Sequence, residues 1–176
     1  MMILFYPGSL QADPEAMKRF EAITRKEEVH CLCDEDLDRS LKELTGGKPI
    51  EYDPRKLSQT VPFLYFSGYE IAEVSRLQNE IEKAGLPIAA MAIATANNQE
   101  MLLKDLMEEV GREAAYFARR EELASLLEHI DPVKLQANPD YFKCAMLAAS
   151  LLKEEELSEK MLDTALTIMH SFESDQ

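Results

Sequence analysis

Gly8-Ser9, Ser67-Gly68-Tyr69 and Thr95 with Asn97-Asn98 are the residues of this chain whose types and spacing suit ligand chemistry. Each cluster follows a short apolar run. Glycines let a backbone approach a ligand closely, while hydroxyls and amides supply neutral hydrogen-bonding groups. Gathered beyond strand ends and beside helix N-termini, such groups would take a small molecule or an anion. Gly8, Ser9, Ser67, Gly68, Tyr69, Thr95, Asn97 and Asn98 are therefore the candidate ligand-binding residues. The same types also serve plain turns, and Asn97 or Asn98 is a natural N-cap. No catalytic residue is assigned. An enzyme would gather ionisable groups at these ends, and Glu70 and Glu100 are the ones present.

Other motifs point away from familiar chemistry. No Gly-x-Gly-x-x-Gly or Gly-x4-Gly-Lys-Ser/Thr cradle is present, so nucleotide binding by either is disfavoured. Neither a Gly-x-Ser-x-Gly elbow nor a His-Glu-x-x-His pair occurs. His30, Cys31, Cys33 and Asp34 are metal-ligand types, but on a strand His30 points away from Cys31 and Cys33, and no second cysteine pair completes a zinc site. No metal and no cofactor are expected. His129 and His170 sit late in predicted helices, where the C-terminal dipole suits them.

The elements that must position the candidate residues follow from hydrophobic pattern. Ile3 to Tyr6, Val29 to Cys33, Phe63 to Ser67 and Ile88 to Thr95 read as strands. Pro62 to Phe66 and Pro87 to Ala94 are continuous apolar runs, the signature of strands covered on both faces. Helices fall between them: one capped by Asp13 with Pro14 in its first turn, one from Asp34 or Asp36 through Leu44, one from Glu70 to Ala84, and one running to Phe117. Gly111 in that last helix suggests a close contact or a bend. Residues 48 to 61 read as a surface loop with a turn of helix near Lys56. The expectation is a small four-stranded parallel sheet in the order 2-1-3-4, with helices on both faces. Residues 1–119 would form this α/β domain, with the candidate crevice between the carboxyl ends of strands one and three.

Residues 120–176 would form an all-helical extension packed on that domain or on a partner. The helix from Asn138-Pro139 through Leu152 is apolar nearly all round and should be buried on more than one side. Met146, Met161 and Met169 with Tyr141, Phe142 and Phe172 make an adaptable apolar surface, suited to core packing or to pairing with another protein or a second copy.

Composition bounds the partners. The net charge is −14, which repels phosphate backbones and anionic lipid, so neither nucleic acid nor membrane is expected as a partner. Residues 120–176 carry 12 acids against 5 bases. No window approaches a membrane span. Three cysteines at no disulfide-framework spacing, and an opening Met1–Tyr6 too short for a signal core, place the chain in a reducing cytoplasm.

The stretch from Phe63 to about Phe117 resembles the bacterial family known as domain of unknown function 3783. The carrying residues are the strand ending in Ser67-Gly68-Tyr69, the strand ending in Ala94-Thr95, and Asn98 before the acidic amphipathic segment Met101 to Glu109. The first two strands would complete the same small domain. The resemblance brings no assigned reaction. The expected function is a non-catalytic protein-interaction or regulatory module acting through the C-terminal helices, with a small-molecule or anion-binding domain as the alternative.

Overall fold

The structure is a computed structural model that describes residues 1–47, 52–155 and 157–174. It divides into two compact units, Met1–Arg112 and Glu113–Gln176. Residues 48–51, at the start of the expected loop, lie outside the described residues.

The first unit holds a four-stranded sheet of β1 (Met2–Tyr6), β2 (Val29–Cys31), β3 (Phe63–Ser67) and β4 (Ala90–Ile93), arranged β2-β1-β3-β4. α1 (Pro14–Thr24), α2 (Leu41–Gly46) and α3 (Ile71–Lys83) connect the strands, and α4 (Leu103–Glu128) follows β4. β1 and β2 are parallel, as are β3 and β4, but β1 runs antiparallel to β3. The expected all-parallel sheet is thus corrected to a mixed one, built from two parallel βαβ halves placed head to tail.

The reason lies in the connection from β2 to β3. A parallel return needs an element that recrosses the sheet from end to end. α2 has six residues and rises about 9 Å, whereas a five-residue strand spans about 17 Å. The chain therefore stays at the edge where β2 ends. Asp34 N–H donates to the Lys56 carbonyl at 3.0 Å and Ser9 N–H to the Thr60 carbonyl at 2.8 Å, so β3 starts beside the end of β1. Near Lys56 there is a turn rather than helix.

Helices cover both faces, as the apolar runs require. Ile3, Phe5, Leu64 and Phe66 pack against Phe20 of α1 and Val74, Leu77 and Ile81 of α3. Leu4, Tyr6, Phe63 and Tyr65 pack against Leu41 and Leu44 of α2 and Leu103, Leu106 and Met107 of α4. Alternate residues of one strand thus feed two cores. Asp13 caps α1 by accepting from Glu15 and Ala16 N–H, both at 3.0 Å. α2 starts later than the Asp34 or Asp36 cap implies. Ser40 caps it, with Glu43 closing the capping box, because both aspartates are engaged elsewhere. Asp36 accepts from Cys33 N–H and from Arg39.

In the second unit, the later part of α4 is joined by α5 (Pro132–Ala137), α6 (Pro139–Leu151) and α7 (Glu159–Ser174). α4 passes through Arg119-Arg120 without a break, and the unit boundary falls within it, seven residues before the expected one. Leu123, Tyr141, Ala145, Ala148, Leu162, Leu166 and Met169 form the core. Arg119 clamps α7 through Asp163 at 2.6 Å and Glu159 at 2.9 Å. Tyr116 donates to the Leu157 carbonyl at 2.8 Å.

Candidate interaction surface

The antiparallel junction parts the residues of the expected crevice. Met2 pairs with Ser67 and Tyr6 with Phe63, so the carboxyl ends of β1 and β3 lie at opposite sheet ends, about 14 Å apart along β1. Gly8 and Ser9 stand at one end. Ser67, Gly68, Tyr69, Thr95, Asn97 and Asn98 stand at the other.

Local geometry assigns Gly8, Gly68, Tyr69 and Asn98 to the fold. Gly8 has φ +53°, and a Cβ there would sit 2.5 Å from the Thr60 carbonyl oxygen. The close approach it permits is to the chain's own loop. Gly68 likewise takes φ +78° to turn β3 toward α3. Tyr69 is buried and donates to Glu27 at 2.8 Å, with Arg76 on the second oxygen of that carboxylate at 3.4 Å. Burial and that bond hold the Tyr69 phenol well above its ordinary range. Asn98 Oδ1 accepts from Thr95 N–H at 2.8 Å and from the Tyr65 hydroxyl at 3.1 Å, and its Nδ2 donates to the Ile93 carbonyl at 2.9 Å. Both ends of its amide are engaged by the chain itself. Ser9, Thr95 and Asn97 remain exposed.

The opposite end holds a cluster that residue spacing did not reveal. Tyr6 donates to Asp34 Oδ1 at 2.6 Å, Ser58 N–H donates to the same oxygen at 2.9 Å, and Gln59 N–H donates to the Tyr6 hydroxyl at 3.1 Å. Burial and the bond to Asp34 push the Tyr6 phenol up to about 12. Burial raises the Asp34 carboxyl, but the bonds from Tyr6 and Ser58 outweigh it and hold that group below the usual carboxylate range. The partners are 28 and 53 residues apart in sequence, and a Tyr at a strand end gives no signal of its own.

A cleft of about 560 Å³ lies between the sheet and the first part of α4, among Gln59, Val61, Phe63, Lys104, Asp105 and Glu108. Lys104 is taken up by Asp38 at 2.6 Å. Gly111 borders this cleft, and among the described residues outside its own stretch of helix no atom lies within 4 Å of where a Cβ would stand, so of the close contact or bend expected there the close contact is not seen. Among the described residues, no three His, Cys, Asp or Glu side chains are grouped to hold a metal ion.

The second unit carries a groove of different character. α6 and α7 form a hollow of about 280 Å³ lined by Cys144, Leu147, Ala148, Leu151, Met161, Thr164, Ala165 and Ile168, with Lys160 at its rim. α6 is buried along one side rather than on the more than one side expected of it. Its Tyr141, Ala145 and Ala148 go inside, while Leu147 stays 62% exposed, Met146 56% and Phe142 49%. Met161 of α7 is 49% exposed. Leu147, Met161 and Ile168 are thus the large apolar side chains left exposed along the groove.

No curated protein and no solved structure matches the chain. Among the described residues no helix is long and apolar enough to cross a membrane. The family model described as Domain of unknown function (DUF3783) matches residues 62–117, the segment that runs from β3 through the Thr95–Asn98 bracket into α4.

Proposed function

We propose that this protein is a non-catalytic interaction module whose α6–α7 groove receives an amphipathic helix of another protein. One observation carries the reading: the apolar lining of that groove, with Leu147 and Met161 exposed along it. A partner helix would place apolar residues at i, i+3, i+4 and i+7 into such a hollow. Its flanks would be basic, since residues 120–176 have a strong excess of acids. The same charges oppose docking of a second copy at this face. The free thiols Cys31, Cys33 and Cys144 fit a reducing cytoplasm. The alternative of a ligand crevice loses support because its residues stand at two ends of the sheet.

The test is a comparison of wild type with Leu147→Asp and Met161→Asp. Each places a carboxylate on an already exposed position, so circular dichroism and thermal unfolding should stay near wild type. A protein that co-purifies with wild type, purified in turn and titrated back, should bind each variant at least tenfold more weakly, about 1.4 kcal/mol. Its affinity should also fall as salt rises. Equal affinity for all three proteins would remove the groove from the account.

A further inference from the structure

The two edges of the sheet are built differently. β2 has three residues, follows Glu27-Glu28 and precedes Asp34-Glu35-Asp36. Short length and flanking charge are what keep an edge from pairing with another chain. β4, at the other edge, is one residue longer at four and lacks the flanking charge. Residues 84–99 contain no charged side chain, the longest such run in the chain, and Pro87 stands before the strand rather than within it.

The register shows which backbone groups this edge offers. Leu64 pairs with Met91 and Tyr65 with Ala92, and Ala94 N–H donates to the Phe66 carbonyl at 2.9 Å. The peptide groups of Ala90, Ala92 and Ala94 therefore face β3, and those of Met91 and Ile93 face outward. The Ile93 carbonyl receives Asn98 Nδ2. Among the described residues, Met91 N–H, Met91 C=O and Ile93 N–H have no hydrogen-bond partner.

We propose that β4 pairs antiparallel with β4 of a second copy about a two-fold axis at Met91, joining the two sheets edge to edge. In that arrangement each Met91 N–H donates to the Met91 carbonyl of the other copy, and each Ile93 N–H donates to the other copy's Ala89 carbonyl. Ala90 comes opposite Ala92 and Ala89 opposite Ile93, and the two Met91 side chains, unbranched and flexible, meet at the axis. The edge itself selects the second copy as occupant: under the two-fold, the Met91 N–H and C=O left open on one copy are the groups that satisfy those of the other. A chain of net charge −14 repels its own copy wherever acids meet, and residues 84–99 bring none of their own to the contact. The inference is independent of the α6–α7 groove.

Light scattering after gel filtration of the full chain, over a range of concentrations, provides the test. Wild type should shift from monomer to dimer as concentration rises. Met91→Pro removes the outward N–H while sparing every bond to β3, and should weaken dimerisation at least tenfold with the monomer still folding cooperatively. Met91→Cys gives a second readout that does not depend on the proline variant folding. Opposed residues of a hydrogen-bonded antiparallel pair stand about 5.5 Å apart at Cα, within disulfide reach. Exchange with oxidised glutathione, which is reduced to two thiols as the Met91→Cys pair joins, should give a covalent dimer well above the level of wild type, whose Cys31, Cys33 and Cys144 serve as the control. A wild type that stays monomeric throughout would overturn the proposal. So would a dimer that forms no Met91→Cys cross-link, or one that is abolished by Leu147→Asp.

Discussion

Asn98 uses both ends of its amide on the fold. It closes the turn after β4, holds the strand's last carbonyl and receives the buried Tyr65 hydroxyl. The threonine, gap and asparagine that suggested a ligand site are thus a bracket between a strand end and the approach to α4. The chemistry is the same in both readings, because a carboxamide that suits a ligand suits a backbone equally. The readings part in their energetics. Asn98→Ala would strand the Thr95 N–H and the Tyr65 hydroxyl, and should lower stability by about 1–3 kcal/mol. Urea unfolding should show this as a lower midpoint with an unchanged slope. An unchanged midpoint would return Asn98 to the list of available ligand groups. Gly8 makes the same point, since the backbone it admits is that of Thr60 to Pro62.

The elements separate what hydrophobic pattern conveys from what it does not. Pattern located the strands, the Asp13 cap and the two-sided burial of Phe63–Phe66, because each depends on residues close in sequence. It missed the direction of β1 against β3. That direction depends on how far α2 and the following loop carry the chain, and strand–helix alternation is the same either way. The loop is then tied down by Asp34, which binds Tyr6 and Ser58 across long sequence separations. Its carboxyl titrates below the unfolded value of about 3.9. A lowered folded pKa gives stability that is present above the unfolded pKa and is lost as pH falls through the folded one. Asp34→Asn should therefore be less stable than wild type by a constant margin from neutral pH down to about pH 5, and that margin should close in stronger acid. A margin that ignores pH would mean the carboxylate's charge does not hold the loop.

At the scale of the molecule, two apolar surfaces lie open in a chain of high negative charge: the groove of α6 and α7, and the neutral edge of β4. The apolar character of α6 was legible in its residues, but its use was not. A segment apolar nearly all round predicts burial, and composition does not say whether the chain itself or another protein provides it. Here the chain buries Tyr141, Ala145 and Ala148 and leaves Leu147, Met146 and Phe142 outside. Nine methionines report on this directly, since Met161 lines the groove while Met17 and Met107 pack in the first unit. Methyl spectra of methionine-labelled protein, titrated with the purified partner, are the most direct test of the interaction reading. The groove account predicts that the Met161 signal shifts while those of Met17 and Met107 stay. Shifts confined to the first unit, with Met161 unmoved at saturation, would contradict it.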